Sequence, residues 1–374
     1  MMMNIERIPV FTVNDEMKSL KPRMMDAIEN VLLSGHFIMG ENVKALETEI
    51  AEYLGVKHAI AVNSGTDALV IALKAGGIGE GDEVITTPFT FFATAEAIHQ
   101  VGAKAVFVDI DEETFNINPK LIKQAITPKT KAIMPVHIFG QAANMQEIMD
   151  IAGEHGLQVF EDVAQAFGAI HNGRKAGTWG VAGCFSFFPT KNLGAYGDGG
   201  LIATDDDDLA ANSRMLRTHG SKKKYHNETF GYNSRLDEMQ AAILRVKLPY
   251  IDQWNQNRFQ IAKRYSEAFE DISGIIPPAL SRISEDSHVF HQYTIRILDG
   301  NRDRVQKELS DLGVETMVYY PIPVHRLPVY EGSTISAPVS EKAAAEVISL
   351  PIWPQMDVKI QQKVIDVLIS VIKK

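Results

Sequence analysis

The sequence predicts an α/β protein, with a mostly parallel sheet in a large unit and a smaller α/β unit at the C-terminal side. Three observations carry this. Short apolar runs alternate with helix-period segments through the first 160 residues, the alternation changes after the runs at 183–188 and 200–204, and a second, shorter alternation starts near 289. Strands separated by helices argue for parallel pairing with both faces covered.

The elements follow in order. Leu20, Met24, Ile28 and Leu32 recur at helical spacing, as do Val43, Leu46, Ile50 and Leu54, so helices are predicted over 20–34 and 43–54 with Gly35 and Gly55 as stops. Strands are predicted at 58–62, 83–87, 104–109, 131–136 and 157–161, with helices near 65–76, 93–101, 118–126 and 144–155 between them. Residues 206–217 and 235–272 read as largely helical, with Pro249 a break. The four aspartates at 205–208 read as a solvated turn and helix cap. A strand at 289–297, a helix at 302–312, a strand at 314–318 and helices near 340–347 and 357–372 complete the chain. The expected division is a large unit over 1–250 and a small one over 251–374.

Composition narrows the class. The chain has 374 residues, 45% hydrophobic and 22% charged, enough for two or three domains of ordinary soluble character. A net charge of −10 argues against a general nucleic-acid surface. The single cysteine, Cys184, permits no intramolecular disulfide and fits a reducing cytoplasm. The start lacks a signal-peptide apolar region, and no apolar run reaches the ~20 residues of a membrane span. The expectation is a cytoplasmic protein with neither a membrane nor a nucleic acid as partner, and no metal site is assigned.

The predicted strand ends collect the chemistry, as ligand sites of parallel sheets do. Asn63-Ser64-Gly65-Thr66 joins a strand to a helix. Gly65 allows close backbone approach, and the free N–H groups with the Thr66 hydroxyl suit a phosphate; Ser64 and Thr66 also make an ordinary cap. Asp162 ends the apolar strand in Val-Phe-Glu-Asp-Val-Ala-Gln-Ala (159–166). It either caps the next helix or keeps a pyridine nitrogen protonated. Glu161 points to the opposite side of the strand, because the period is two. Lys191 follows the aromatic strand that holds Phe185, Ser186, Phe187 and Phe188. It is either an exposed loop lysine or an amine whose ammonium is disfavoured by desolvation. A carboxylate, an amine and a helix-end anion site are the parts that hold pyridoxal 5'-phosphate (PLP). Ser186 can add a hydroxyl to the phosphate. Phe91, in the turn at 87–94, is the ring expected on the cofactor face, with its aromatic neighbours in the core. Lys222, Lys223 and Lys224 make a basic loop, either solvated or near an anionic ligand. Asn233 and Arg235 sit at a predicted helix start, and Tyr320 and His325 on a proline-rich loop.

With these residues in hand the chain resembles the DegT/DnrJ/EryC1/StrS family of PLP-dependent sugar aminotransferases. The motifs are Ser34-Gly35-His36-Phe37-Ile38-Met39-Gly40, Asn63-Ser64-Gly65-Thr66, Pro88-Phe89-Thr90-Phe91, Pro135-Val136-His137-Ile138-Phe139-Gly140, Glu161-Asp162-Val163-Ala164-Gln165, Ser186-Phe187-Phe188-Pro189-Thr190-Lys191 and Gly231-Tyr232-Asn233-Ser234-Arg235-Leu236-Asp237. The resemblance implies a fold type I, aspartate-aminotransferase-like homodimer with shared active sites. It implies Lys191 as the Schiff-base lysine, Asp162 as the pyridinium partner and Gln165 at the ring oxygen. Gly65, Thr66 and Ser186 would hold the phosphate, with Asn233 reaching to it from the neighbouring subunit. His219, Tyr225, Arg235, Tyr320 and His325 match regions that line the sugar-nucleotide pocket.

The activity implied is transfer of the amino group of L-glutamate to a keto-sugar nucleotide. Relatives with histidine in place of the lysine are dehydratases; here Lys191 favours transamination. The wording around 225–237 favours a dTDP- or UDP-linked 3-keto hexose, giving a product of the dTDP-3-amino-3,6-dideoxyhexose class. A 4-keto substrate and a PLP-binding sensor without turnover are the alternatives. A desulfurase would need a mobile cysteine, and Cys184 lies within an apolar strand.

Overall fold

The computed structural model describes residues 7–223, 225–280, 283 and 286–373. The first six residues of the predicted leaderless start, and Lys224 of the basic loop, lie outside the described residues.

Two helices open the chain. α1 (Asn14–Ser34) begins six residues before the predicted start, with Asp15 and Glu16 in its first turn where carboxylates suit the helix dipole. α2 (Glu41–Leu54) buries Val43, Leu46, Ile50 and Leu54, the predicted stripe. Gly35 and Gly55 end these helices at φ 66° and 76°, left-handed conformations that favour glycine.

The β–α alternation then appears as β1 (His58–Val62), α3 (Gly65–Ala75), β2 (Glu83–Thr86), α4 (Ala93–Gln100), β3 (Lys104–Phe107), α5 (Pro119–Ala125), β4 (Thr130–Ile133), α6 (Met145–His155) and β5 (Gln158–Asp162). A small hairpin, β6 (Ile170–His171) and β7 (Arg174–Lys175), precedes β8 (Ala182–Ser186) and β9 (Gly200–Thr204). β1 to β5, β8 and β9 form one seven-stranded sheet in the order β1-β9-β8-β5-β4-β2-β3. β9 runs antiparallel to both its neighbours, and the other pairings are parallel. Alternate residues feed opposite cores. Ile60, Val62, Phe160 and Ile202 pack with α3, while Ala59, Ala61, Phe185 and Leu201 pack with α1 and α2.

α7 (Asp207–Leu216) follows, capped by the Asp206 carboxylate on the Asp208 and Leu209 N–H groups. A bulged hairpin comes next, β10 (Ser221–Lys223) with β11 (His226–Asn227). α8 (Glu238–Lys247) and α9 (Ile251–Phe269) are separated by a single 3-10 turn at Pro249, the predicted break. The predicted helix over 235–272 therefore starts three residues late, with Asp237 before its first turn.

A second core surrounds an antiparallel sheet of β12 (Ile275–Ile276), β13 (Tyr293–Ile297) and β14 (Val347–Leu350), packed by α9, α10 (Arg302–Asp311) and α12 (Val358–Ile372). α11 (Pro338–Glu346) leads into β14. Three predictions change here. The strand predicted over 289–297 begins only at Tyr293. Residues 314–318 make isolated bridges, Val314 with Ile8 and Met317 with Ser349, instead of a strand. The predicted helix end at 347 is the start of β14, whose four residues are all buried. A short apolar run next to an alanine-rich helix has no period that separates the two. The start of the chain joins this second core: the Ile8 N–H donates to Gly313 O at 2.8 Å, the Glu315 N–H to Ile8 O at 2.9 Å, and Phe11 packs on the cluster.

Candidate active site

The carboxyl ends of β1, β2, β5 and β8 open onto one cavity of about 470 Å³. Ser64 begins the wall. Its hydroxyl accepts from the Asp67 N–H at 3.1 Å and starts α3, which leaves the Gly65 and Thr66 N–H groups without helical partners. Gly65 lies against Ser186, and a Cβ on it would meet Ser186 Cβ at 2.6 Å. Only glycine brings these two strand ends so close.

Asp162 is the last residue of β5 and is buried. Its Oδ2 accepts from Thr94 Oγ1 at 2.8 Å and its Oδ1 from the Ala164 N–H at 3.1 Å. Burial pushes its carboxyl pKa up, while Thr94, Ala164 and the nearby Lys191 oppose the shift. Glu161 faces the other way, as the strand period expects. Its carboxylate accepts from the Gly177, Trp179 and Gly180 N–H groups and from His137 Nε2 at 3.0 Å. The Ala143 N–H donates to His137 Nδ1, which leaves the proton on Nε2.

Lys191 stands on the loop after β8. Its N–H donates to Phe188 O, and the Ala195 N–H closes the loop on Phe187 O, both at 2.8 Å. Buried polar groups hold the loop from below. Lys247 Nζ donates to Gly194 O at 2.7 Å and pairs with Glu16 of α1 at 2.6 Å, and Asn192 Nδ2 donates to Asn255 Oδ1 at 2.7 Å. Desolvation lowers the Lys191 pKa from 10.5 to about 8, against the pull of Asp162. At neutral pH this amine is therefore a far better nucleophile and base than an exposed lysine.

The shift also has a stability consequence. Below about pH 8 the folded state holds a desolvated cation that the unfolded chain hydrates freely. The penalty is relieved as pH rises from about 8 towards 10.5. Lys191→Met is therefore expected to raise the melting temperature of the cofactor-free protein at pH 7, with the gain shrinking above pH 8. Melts of both proteins across pH 7–10 check this, and a pH-independent difference would refute it.

Of the other predicted residues, Thr66, Gln165, Ser186, Phe91 and Tyr320 line the same cavity as Gly65, Asp162 and Lys191. Gln165 Oε1 accepts from the Phe139 N–H at 2.6 Å and its Nε2 donates to Tyr320 OH at 2.9 Å. Tyr320 thereby reaches in from the loop ahead of α11, its ring 6.2 Å from that of Phe91. Phe91 is 59% exposed at the mouth, while Phe89 is fully buried.

Five predicted residues lie outside this wall. His219, Tyr225 and Asn233 are exposed and Arg235 is half-buried, all on the segment between α7 and α8. His325 is buried beside Phe107, with Nε2 against Glu341 Oε1 at 3.0 Å. The sequence reading did not single out Thr90, Thr94, His291, Gln292 and Tyr319. His291 and Gln292 line the cavity because residues 289–292 turn back towards the large sheet before β13 begins. The signal was there: two adjacent polar residues interrupt an apolar run. Among the described residues no cluster of His, Cys, Asp and Glu suits a metal ion, and no helix is long and apolar enough to cross a membrane.

The family model of the DegT/DnrJ/EryC1/StrS aminotransferase family matches residues 18–369. A protein of Geobacillus stearothermophilus named pleiotropic regulatory protein is 50% identical over 96% of this chain and 97% of its own length. The UDP-N-acetyl-3-dehydro-alpha-D-glucosamine 3-aminotransferase of Acidithiobacillus ferrooxidans is 45% identical over 93% of this chain and 94% of its own. The crystal structure of S. venezuelae DesV in complex with a ketimine intermediate superposes with a TM-score of 0.95 at 40% identity, covering 99% of each chain.

Proposed function

Because the chain belongs to the DegT/DnrJ/EryC1/StrS aminotransferase family, with its fold type I architecture, we propose that it is a PLP-dependent transaminase that moves the amino group of L-glutamate to C3 of a keto-sugar nucleotide, dTDP- or UDP-linked. The observation that carries the reading is the pairing of a buried, hydrogen-bonded Asp162 with a desolvated Lys191 across one cavity.

The cavity fits PLP on its own terms. Gly65 is pressed against Ser186 where any side chain would collide, which leaves bare backbone and two hydroxyls, Thr66 and Ser186, for a phosphate. When bound, PLP draws electron density from the carbon that carries the amino group. Asp162 would balance a positive charge at the ring nitrogen, Gln165 has a second amide N–H for the ring oxygen, Phe91 would cover the open face, and Lys191 Nζ would be the covalent seat of the cofactor. Once free, the Lys191 amine would take the proton from Cα of L-glutamate and deliver it two atoms further along, beyond the amino nitrogen. One water then supplies the oxygen of 2-oxoglutarate while the amino group stays behind. In the second half the ketone oxygen of the sugar leaves as water while the same Nζ moves the proton in reverse.

In this reading two copies share their sites. Asn233 approaches the partner's phosphate, and His219, Tyr225, Arg235, Tyr320 and His325 serve the nucleotide and sugar. Phe91 and Phe188, 59% and 49% exposed at the cavity mouth, support a covering partner. The divided chain, 1–250 for the cofactor and 251–374 closing over it, and a cytoplasmic setting belong to the same proposal. The Acidithiobacillus relative's name supports the 3-keto position over C4.

The test is spectroscopic. Purified protein with PLP should show a visible Schiff-base band, lost on adding L-glutamate as 2-oxoglutarate appears. A panel of 3-keto and 4-keto sugar nucleotides should then restore the band, the 3-keto members fastest. The regulatory name of the Geobacillus relative supports a second reading, a PLP-binding sensor. A band that no amino donor discharges would favour it.

A further inference from the structure

Asp162 can serve a cofactor nitrogen only if its carboxylate is held in one plane, and the structure shows what holds it. Among the described residues the hydrogen bonds to its oxygens come from Thr94 Oγ1 and the Ala164 N–H. Thr94 is fully buried on α4 and lies behind the cavity wall. Its oxygen lies 2.9 Å from Thr90 Oγ1, four residues earlier in the turn that leads into α4, and Thr90 does line the cavity. A hydroxyl has one proton to give. A carboxylate has none, so Thr94 gives its proton to Asp162, and Thr90 gives its own to Thr94.

We propose that Thr94 is a positioning residue: backed by Thr90, it forms a directional hydroxyl relay that fixes and keeps ionised the Asp162 carboxylate facing the cavity. The inference rests on the PLP reading of the cavity and deepens it. Other titratable groups around Asp162 leave this task to the relay. Lys191, on the loop after β8, brings positive charge without a hydrogen bond to it. His137, after β4, is engaged by Glu161 and Ala143. Cys184 on β8 and Tyr320 on the 319–326 loop are buried, with thiol and phenol held above their ordinary pKa. A buried carboxylate that loses one of two donors is left with an unpaired charged oxygen, which costs more than the hydrogen bond itself.

Thr94→Val keeps the branched shape and removes only the hydroxyl, while Thr94→Ser keeps the hydroxyl. The first measurement uses cofactor-free protein, by urea unfolding at pH 5 and pH 8. An acid whose folded pKa is raised loses its stabilising contribution as pH rises through that pKa. Valine raises it further, so its destabilisation should be clearly larger at pH 8 than at pH 5, with serine close to the parent. An equal cost at both pH values would overturn the relay. The second measurement is PLP titration at pH 8. Thr94→Val should bind about tenfold more weakly, and Thr94→Ser within about twofold of the parent. Parental affinity in the valine variant would overturn the proposal. If the parent itself failed to bind PLP, the functional reading would fall, and the unfolding comparison would still decide the relay.

Discussion

Lys191→Ala is expected to lower multiple-turnover transamination by about 10⁴-fold, at the upper end of what one acid–base group supplies. The substitution removes the proposed covalent seat of the cofactor and, among the described residues, the one side-chain amine in the cavity wall, with its pKa lowered to about 8. It leaves Gly65, Thr66, Ser186 and Asp162 in place, so PLP should still bind, without a Schiff-base band of the protein's own. Small primary amines added to the buffer should recover part of the rate, because the truncated side chain leaves room for them. In the unsubstituted protein the rate of PLP attachment should rise as Lys191 loses its proton and level off above about pH 8, where an ordinary lysine would still be rising. Wild-type turnover in the alanine variant would remove Lys191 from the mechanism.

Asp162→Asn should cost about 10³-fold in kcat, the scale of losing one preorganised charge partner in a water-poor site. The change is isosteric, so the fold should survive. The amide cannot balance a positive ring nitrogen. With its oxygen kept on the Ala164 N–H, its amide N–H faces Thr94, whose hydroxyl must then accept and turn its own proton towards Thr90. In the cofactor-free parent burial raises this carboxyl, so PLP binding should weaken as pH falls through the raised value. PLP titrations of the parent across pH 5–9, with steady-state kinetics of Asp162→Asn and Asp162→Glu, check both points. An asparagine variant with parental kcat would show that no charge is needed there.

The legible part of the site was the part carried by strand ends. Asp162, Lys191, Gly65 and Thr66 each lie at or within a few residues of the end of a strand, so the runs that mark the strands also point to the residues at their mouths. Thr94 was not legible. It sits in an alanine-rich helix, where a threonine pattern has no preferred meaning, and only the tertiary approach of α4 to β5 gives its hydroxyl a partner. His291 and Gln292 were hidden by the opposite problem. The run at 289–297 reads as one strand, but its first four residues leave the sheet to contact Gly140 and Phe139. Val347 reads as the end of a helix because the short run Val-Ile-Ser-Leu carries no period of its own. His325 illustrates a limit of matching by motif: its imidazole faces Glu341 and Phe107 within this chain, and no local pattern gives that direction.

The capture of Ile8 and Phe11 by the second core bears on how the chain is made. The last strand of the large sheet ends at Thr204, so that sheet can assemble while the rest of the chain is still being synthesised. The seat of Ile8 is not complete until Val314 and α12 (Val358–Ile372) have emerged from the ribosome, about 350 residues later. The first described residues of the chain are thus among the last to find their place. A bulky fusion ahead of Ile8 would burden that final docking step and leave assembly of the seven-stranded sheet untouched.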